Sequence, residues 1–417
     1  MGAFHGVRSL IPKLDTRVWI LAAGRLLSQI GIGFTLFYAP IFFVNQVGLS
    51  ATAVGLGLGC QSLSGLVGRF LGGSMADSTQ WGRRRTLLLS AAISVLADGV
   101  FVITNNFTVF VIGNLLMGLG VGLYWPATEA AVADITHADS RNEAFATVRL
   151  ADSLGLGMGV VLGGALIAAT GAYRALFVID GVTFALFFGI VAVAIAETLP
   201  DNATASNFWS GWGAALRDRT LLIFVAVNIL FTTYLAQIQS TLPVYLNRFG
   251  TVGDTSGFPE SVLSGLFTWH VALAAICQLP MARLLRKVSQ ARALILSVGL
   301  WATGFVGIYG AGTAETGAIA VSAMALGILA LATVAYTPVA STLVVQLAPQ
   351  DLRGVYLSVN SMCWAIGYLI GPPLGGWALD QPSLIAHGFW LGLAICALPG
   401  MVILRILGKQ TPKSLTT

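Results

Sequence analysis

Long apolar stretches alternate with short polar ones along the 417 residues of this chain. About 20 helical residues cross the hydrocarbon core of a bilayer. Twelve stretches reach that length and predict spans 1 to 12, at residues 18–45, 51–76, 86–104, 107–133, 143–170, 174–196, 220–246, 261–282, 291–311, 316–342, 354–379 and 384–407. The polar segment 201–219 predicts a linker between residues 1–200 and 220–417. The pattern therefore predicts an all-α polytopic membrane protein with two six-helix bundles.

Parts of the two halves repeat each other at a fixed offset of 212 positions. The repeated residues are ones that bend or pack a backbone: Pro126 and Pro338, Asp139 and Asp351, Arg141 and Arg353, Gly155 and Gly367, Gly159 and Gly371, Gly163 and Gly375, and Gly164 and Gly376. Pro40 and Pro243 form a weaker echo that relates span 1 to span 7. In membrane proteins, such repeats are typical of transporters whose halves move around a central site. The repeat predicts that the two bundles are pseudo-symmetric.

Charged residues make up 9% of the chain and the mean hydropathy is +0.83, whereas a soluble domain has about 25% charged residues. If the N-terminus is inside, 17 of the 22 Lys and Arg lie in inner loops or tails and 2 lie outside. The positive-inside rule then places both termini in the cytoplasm of a multi-pass cell membrane protein. The net charge of +5 reflects this orientation, and no nucleic-acid partner is expected.

Nothing in the sequence indicates catalysis or a bound cofactor. The four cysteines lie within apolar spans without metal-ligand spacing, and no GxxxxGK loop that would bind ATP is present. We expect no enzyme activity, no metal and no cofactor. An ion gradient or the solute gradient must then drive transport.

The loop between spans 2 and 3 carries Asp77, Gly82 and the cluster Arg83, Arg84 and Arg85. A carboxylate and arginines at neighbouring helix ends can pair across a tight turn. Membrane topology alone would also explain the arginines. The motif therefore predicts either an inner gate or a simple topological signal.

Span 5 carries Gly155, Gly159 and Gly163 at a spacing of four, and span 11 repeats them. Such a groove lets two helix backbones approach closely. Ordinary helix packing explains one groove, but two equivalent grooves favour the place where the halves meet. Gly371 is followed by Pro372, which removes a backbone hydrogen bond and predicts a kink in span 11.

These motifs resemble signatures of the major facilitator superfamily. The loop 73–85 is similar to GxLaDrxGrR, and GMGVVLGG in span 5 resembles the GxxxGPxxGG motif of the twelve-span drug/proton antiporters. The resemblance implies that Asp77 and the arginine cluster close the cytoplasmic side, and that spans 5 and 11 lie between the halves. This chain departs from the patterns in three places. The spacing from Asp77 to Gly82 is two residues longer, Val160 replaces a proline, and Asn114 replaces the arginine of span 4.

Ionisable residues within spans cost several kcal/mol each unless they are paired or hydrated. The set is Arg25, Arg69, Asp98, Glu129, Arg149, Asp152, Asp180 and His270. Arg69, Glu129 and Arg149 lie near the inner ends and predict an ion-pair network with Asp77 and Asp134.

Three of these residues have more specific expectations. Asp152 and Arg149 are three positions apart and predict a pair within span 5. Asp98 has no partner at helical spacing in span 3, so it is either a proton carrier or a hydrogen-bond partner of a neighbouring helix. Arg25 can meet an acid of span 5 or face the central cavity, where it would favour an anionic solute.

The resemblance also implies that spans 1, 4, 7 and 10 line a central cavity. Their polar and aromatic residues are Arg25, Gln29, Thr35, Tyr38, Tyr124, Trp125, Tyr234, Gln237, Gln239 and Tyr336. Aromatic rings beside amides suit a moderately apolar solute with a few hydrogen-bonding groups. Tyr38 also fits the membrane interface, where Tyr and Trp are enriched.

The predicted function is a secondary active transporter that works by alternating access and exports small amphipathic molecules in exchange for protons. The proton carrier would be Asp98, Glu129 or Asp152. The gating residues would be Asp77, Arg83, Arg84, Arg141, Arg353, Gly159, Gly163, Gly371 and Pro372. The alternatives are a uniporter, an importer or a carrier of lipid-like anions on the same fold, and more remotely a membrane sensor. The expected partners are a small solute, protons and the bilayer, and the expected state is a monomer.

Overall fold

A computed structural model describes residues 14–76, 78, 80–136, 141–198, 212–252, 255–285, 288–348 and 353–410. Span 1 comprises Thr16–Leu36 and Ala39–Asn45. Spans 2 to 12 are Ala51–Ala76, Gly82–Val102, Phe107–Asp134, Arg141–Thr170, Tyr173–Ala194, Arg219–Phe249, Glu260–Leu285, Gln290–Thr313, Ala318–Leu347, Arg353–Leu379 and Ser383–Gln410. A short helix, Trp212–Ala215, precedes span 7, and the antiparallel strands Thr251–Val252 and Thr255–Ser256 follow it.

Eleven helical segments in these described ranges are long and apolar enough to cross a membrane. Span 11 is the other long helix, and it is rich in glycine and proline. It packs against spans 2 and 7 as part of the same helical assembly. The predicted all-α fold with two bundles is confirmed. The limits of the linker stay a prediction, because residues 199–211 lie outside the described part of the chain.

The two related prolines act differently in spans 1 and 7. Span 1 breaks at a turn formed by Phe37 and Tyr38, and a second helix restarts with Pro40 in its first turn. Proline lacks the backbone N–H of a helix interior but is tolerated at the first turn of a new helix. Pro243 instead lies inside the continuous helix of span 7. The echo between the two spans therefore relates their positions and not their local shape.

The packing of the spans follows the repeat. In the first half, the main contacts join spans 1 and 5, 1 and 6, 2 and 4, 3 and 4, and 3 and 6. In the second half they join spans 7 and 11, 8 and 10, 9 and 10, and 9 and 12, and spans 7 and 12 meet over a smaller contact. Each pair in the second half is the counterpart of one in the first. Between the halves, span 2 packs on span 11 and span 5 packs on span 8, which are again counterparts. The observed helix contacts are therefore pseudo-symmetric.

The glycine grooves of spans 5 and 11 each pack against a helix of the same bundle. Gly159 lies directly against Gly33 of span 1, and Gly371 lies against Ala236 of span 7. The positions 33 and 236 are 203 apart, so the offset for spans 1 and 7 differs from the 212 of spans 5 and 11. The grooves therefore fix one helix pair inside each bundle, and the expectation that they lie between the halves is corrected.

The next glycine of each repeat makes the contact between halves. A Cβ built on Gly164 would overlap the hydroxyl oxygen of Ser264 in span 8, and one built on Gly376 would overlap the carbonyl oxygen of Ala51 in span 2. A side chain at position 376 would require the backbone of span 2 to move, whereas a side chain at position 164 would meet the side chains of Ser264 and Tyr38. Spans 5 and 11 thus lie at the interface, as expected, but they reach it through Gly164 and Gly376.

The contact of Gly159 with span 1 predicts that alanine substitutions at Gly159 and at Gly157 have different effects on stability. A Cβ at position 159 would overlap the carbonyl oxygen of Ile30, whereas a Cβ at Gly157 would lie 3.5 Å from Cγ1 of Val271, an ordinary contact. We expect Gly159→Ala to lower the free energy of unfolding by about 1–3 kcal/mol through overpacking.

Gly157→Ala is the matched control, because it adds the same methyl group to the same helix and gains helix propensity. We expect it to leave the thermal unfolding midpoint in detergent unchanged or slightly higher. Equal midpoints for the two variants would contradict the packing described for spans 1 and 5.

Candidate functional site

The ends of the spans near the arginine cluster are called the inner ends, and the opposite ends are called the outer ends. At the outer ends the two halves are closed by direct polar contacts. The carboxylate of Asp380, which follows span 11, accepts hydrogen bonds from the backbone N–H groups of Ala51 and Thr52 at the start of span 2, with N···O distances of 3.1 and 2.7 Å. The Asn45 side chain also donates to the side chain of Asn247. Carboxylates at a helix N-terminus are favoured because the first N–H groups have no partner inside the helix.

Apolar packing completes this outer closure. Gly55 of span 2 lies against the backbone of Pro372, so a Cβ at position 55 would overlap the Pro372 carbonyl oxygen. The space between the halves at this level, lined by residues that include Val44 and Ser240, is about 10 Å³. That volume is at the lower limit for a single water molecule. The described residues of the two halves are therefore tightly packed at this level of the outer end.

Asp380 keeps its charge in this arrangement. Burial alone would raise the pKa of its carboxyl group, but the hydrogen bonds from Thr52 and Ala51, together with the guanidinium of Arg248, hold the pKa below its usual range. The Arg248 nitrogen lies 3.7 Å from the carboxylate. The outer closure is therefore a contact of an ionised carboxylate with a helix N-terminus.

At the inner ends, Arg83 and Arg84 make contacts within the first half. The Nε of Arg83 donates to the Asp134 carboxylate at 3.1 Å, and its Nη1 donates to the carbonyl of Ala76. The carboxylate of Glu197, after span 6, accepts from the backbone N–H groups of Arg83 and Arg84 at 2.9 and 3.2 Å. Arg83 thus links the ends of spans 2, 3 and 4.

Gly82 makes the Glu197 contact possible. Its φ of 73° lies in the left-handed region, and a Cβ there would overlap the Glu197 carboxylate. Sequence reasoning missed Glu197, because its partners lie 114 and 113 positions away and leave no local signal. Asp77 and the side chains of Arg141 and Arg353 lie outside the described residues, so their gating roles stay predictions.

The predicted network of Arg69, Glu129 and Arg149 with Asp134 takes a different form. Asp134 pairs with Arg83, and the Arg69 guanidinium donates to the Ser361 hydroxyl of span 11, across the two halves. The side chains of Glu129 and Arg149 are exposed. Glu129 interacts electrostatically with Arg69, as the predicted network requires, but without a hydrogen bond in the described part of the chain. Arg69 therefore acts as a link between the halves.

A buried ion pair lies at the centre of the first half. The Nε of Arg25 donates to Asp152 at 2.8 Å, and its Nη2 donates to the other carboxylate oxygen, so the pair is bidentate. The guanidinium also lies over the rings of Tyr124 and Trp125, 5.5 and 4.9 Å from their centroids. Asp152 therefore pairs with Arg25 and not with Arg149, because the bidentate geometry and the aromatic faces favour the guanidinium of span 1.

The second half has an uncharged group at the corresponding place. Tyr336, which is 212 positions after Tyr124, donates to the Asn228 side chain at 2.6 Å, and Asn228 donates to Asn360 at 2.8 Å. Asn228 lies 203 positions after Arg25, the offset that relates spans 1 and 7. The central polar groups of the halves are therefore counterparts, one charged and one made of amides.

Two half-buried aromatic residues lie beside this amide group. Trp364 and Tyr368 stack with centroids 6.2 Å apart, and the Tyr368 hydroxyl donates to Gln239 of span 7. Trp364 lies 212 positions after Asp152, so an aromatic ring takes the place of the acid. Trp364 and Tyr368 were missed as site residues because span 11 was not among the spans expected to line the cavity. The repeat itself could have indicated Trp364.

Several residues expected in the cavity are instead parts of the bundle cores. Tyr38 and Tyr234 are buried and donate to the carbonyls of Val160 and Leu393. Gln237 is buried and donates to the Gly371 carbonyl, and the buried side chain of Gln29 lies against Gly155. Tyr38, Tyr234 and Gln237 thus satisfy polar atoms inside the bundles, where unpaired polar groups are costly. Of the expected set, Thr35, Trp125 and Gln239 are half-buried, and Trp125 lies beside Arg25.

Asp98 of span 3 is almost fully buried, and neither of its carboxylate oxygens has a hydrogen-bond partner. Asp180 of span 6 is also buried, and of its two oxygens one accepts from Thr35 of span 1 at 3.4 Å. The hydrogen bond from a neighbouring helix that was the alternative for Asp98 is not formed in the described part of the chain. Among the His, Cys, Asp and Glu residues described, no group of three could hold a metal ion.

Two pseudo-symmetric helical bundles that close at one end around polar and aromatic groups define a membrane transporter that works by alternating access. The chain belongs to the Major Facilitator Superfamily, whose family model matches residues 21–259 and 249–416. Membership in this family identifies a transporter and not an enzyme.

Relatives of several kinds resemble the chain over most of its length. An uncharacterized transporter of the family, YhjO from Bacillus subtilis, is 23% identical over 400 residues, which cover 95% of this chain and 93% of the relative. The multidrug resistance protein MdtH of Cronobacter sakazakii is 24% identical over 87% of this chain and 86% of its own. A Na⁺, Li⁺, K⁺/H⁺ antiporter of Planococcus maritimus is 24% identical over 82% of this chain and 85% of its own.

Solved structures show the same fold at low identity. The nucleoside transporter NupG has a TM-score of 0.76 and 12% identity and covers 95% of this chain and all of its own. A D-xylose–proton symporter has a TM-score of 0.73 and 16% identity, with 96% of this chain and 98% of its own covered.

We expect a large loss of stability when only one partner of the Arg25–Asp152 ion pair is neutralised. Asp152→Asn leaves the buried guanidinium without its counter-charge, and loss of one partner of such a pair costs about 3–5 kcal/mol. We expect a clearly lower unfolding midpoint in detergent.

The matched control removes both charges. Arg25→Gln combined with Asp152→Asn leaves two neutral groups, and we expect it to recover most of the lost stability. If the double variant were as unstable as the single one, the ion pair would not be the source of the effect.

The contact of Asp380 with span 2 predicts that Asp380→Asn opens the outer end. Hydrogen bonds to charged groups contribute about 1.5–3 kcal/mol each, and about 1.4 kcal/mol is a tenfold change in an equilibrium. We expect a Ser240→Cys probe, in a background without native cysteines, to react about tenfold faster with a membrane-impermeant thiol reagent applied from the outer side.

Glu315→Gln is the control, since Glu315 is an exposed carboxylate in another outer loop. Because the contacts lower the pKa of Asp380, its contribution is complete above its ordinary pKa of about 3.9 and is lost only as the pH falls through the lowered value. The thiolate fraction of the probe itself falls with pH, so the quantity to follow is the ratio of the labelling rates of the Asp380→Asn variant and the wild type, in which this effect cancels. That ratio should be constant between about pH 8 and pH 5. A change over that range would rule out Asp380 as the closing group.

Proposed function

We propose that the protein is a secondary active transporter that exports small amphipathic molecules in exchange for protons. The observation that carries this proposal is the asymmetry of two otherwise equivalent bundle centres. The first half holds buried acids, with Asp152 on Arg25, and the second half holds an uncharged group of amides and aromatic rings around Tyr336. One half is thus suited to ion coupling and the other to a solute with apolar surface and a few hydrogen-bonding groups.

The closed outer end supports alternating access. Most of the polar contacts described between the halves lie at the outer ends, and Arg69 with Ser361 is the contact nearest the inner ends. We infer that this conformation receives solute from the cytoplasm, and that breaking the Asp380 contact releases it outside. Arg83, Arg84, Arg141 and Arg353 would then close the inner side, together with Asp77.

The relatives favour export of amphipathic solutes. The name of MdtH assigns multidrug resistance to that protein, and the half-buried Trp125, Trp364 and Tyr368 of this chain offer flat apolar faces that suit varied solutes. Carriage of a lipid-like anion, the alternative given by Arg25, is less well supported. The Arg25 charge is already neutralised by Asp152.

Three acids remain candidates for the proton. Asp152 can take a proton when solute contacts replace its bond to Arg25, and exposed Glu129 lies in the same half. Asp98 has no partner at all among the described residues. We further propose that the protein is a monomer in the cell membrane with both termini in the cytoplasm, as the distribution of arginines and lysines predicts.

Transport in proteoliposomes tests the proposed function. Purified protein is reconstituted with the amphipathic cation ethidium inside, and dye efflux is followed with and without an inwardly directed proton gradient. We expect the gradient to accelerate efflux and the solute to drive proton entry, reported by a trapped pH dye. Gly157→Ala is the active control and protein-free vesicles are the blank. Efflux that is saturable but ignores the gradient would remove the proton coupling, and no efflux of any amphipathic probe would remove the solute class.

A further inference from the structure

Asp98 and Asp180 lie together in the outer part of the first bundle, on spans 3 and 6, which pack against each other. A Cβ built on Gly181, the residue after Asp180, would lie 3.2 Å from Cβ of Asp98. The two acids are 1% and 2% exposed. They are therefore two neighbouring carboxyl groups enclosed within the helices and separated from solvent.

Most of the hydrogen-bonding capacity of this pair is unused. Three of the four carboxyl oxygens accept no hydrogen bond, and the fourth accepts a long one from Thr35. Ser94, one helical turn before Asp98 on the same face of span 3, is also buried with a hydroxyl that has no partner. Buried polar atoms are nearly always satisfied, so unsatisfied oxygens on three side chains point to a species that the pair binds.

In the part of the chain that the structure describes, no positive charge pairs with these acids. The titratable side chains in the neighbouring parts of the surrounding described spans are Tyr38, Cys60, Tyr173 and Arg174. Arg174, the one cation among them, donates to the backbone carbonyls of Val102 and Thr104 at the outer surface. Tyr38 and Tyr173 donate to Val160 and Glu260. Two ionised carboxylates without a cation would carry the full cost of burial and of mutual repulsion.

We propose that Asp98 and Asp180 form one shared site for a proton. A single proton donated by one carboxyl to the other removes a charge, supplies the missing hydrogen bond and relieves the repulsion. The role of this proton in transport rests on the proposed function, whereas its binding does not.

Span 1 is placed to control the site. A Cβ on Gly31 would overlap both the Asp180 carboxylate and the Thr183 hydroxyl. Because glycine has no side chain, the backbone of span 1 packs directly against the pair. Gly31 and Thr35 lie one turn apart on this span, which is also clamped to span 5 through Gly33. A shift of spans 1 and 5 during the transport cycle would uncover the pair and let the proton exchange with the outer side.

Infrared spectroscopy of the purified protein tests the site without solute or gradient. We expect the carbonyl stretch of a protonated, buried carboxyl group at neutral pH in the wild type, and its loss in the Asp98→Asn/Asp180→Asn double variant. Asp152→Asn is the matched control: it removes an acid that is paired with Arg25, so the band should remain. Absence of the band in the wild type, or its persistence in the double variant, would overturn the proposal.

Thermal unfolding provides a second readout. Asn is close in shape and charge to a protonated Asp, so Asp98→Asn should leave the unfolding midpoint unchanged or higher, in contrast to Asp152→Asn. A clear loss of stability in Asp98→Asn would mean that the ionised form is needed.

A third measurement distinguishes the proton from an inorganic cation. Sodium chloride is titrated into the wild type against choline chloride at equal ionic strength. We expect the intensity of the infrared band of the protonated carboxyl group to be the same in both salts. Displacement of the band by sodium alone would assign the site to an alkali cation instead. Proton-coupled efflux that survives in the double variant would leave the proposed function intact while placing coupling at another acid.

Discussion

The cost of charge inside a bilayer is the constraint on which this structure depends. Arg25 can lie within the helices because Asp152 binds it with two oxygens and two aromatic rings cover its faces. This arrangement fixes span 1 against spans 4 and 5. The corresponding place in the second half avoids the cost with Asn228 and Tyr336, which form the same kind of connection without charge. The two halves therefore connect equivalent helices at their centres, one through charged side chains and the other through uncharged ones.

Close backbone packing makes that difference possible. Gly159 on Gly33 and Gly371 on Ala236 hold equivalent helix pairs at equivalent positions, whatever the side chains at the centre. Since each pair is fixed, spans 1 and 5 can move together, and so can spans 7 and 11. The contacts that we expect to change during transport then include those between spans 2 and 11 and between spans 5 and 8.

The sequence was sufficient to predict the spans, their number in each half and the repeat, because long apolar runs and conserved spacing of glycines within the chain are local signals. It was not sufficient to decide which face of a span meets the cavity. Tyr38 and Tyr234 were expected there, but both side chains are buried inside the bundles, and their hydroxyls bind carbonyls of neighbouring helices. For Arg25, the sequence left two alternatives, and the structure places it on Asp152. The Asp380 contact has no local signal, since its partners are 328 and 329 positions away.

The outer closure recognises the start of span 2 largely through main-chain groups. Asp380 accepts from the N–H groups of Ala51 and Thr52, which every non-proline residue supplies, and the Thr52 side chain adds a further hydrogen bond that lowers the pKa of Asp380. Substitutions that keep both N–H groups therefore preserve the main-chain part of the closure. A proline at position 51 or 52 is the exception, as it deletes a donor without changing any charge.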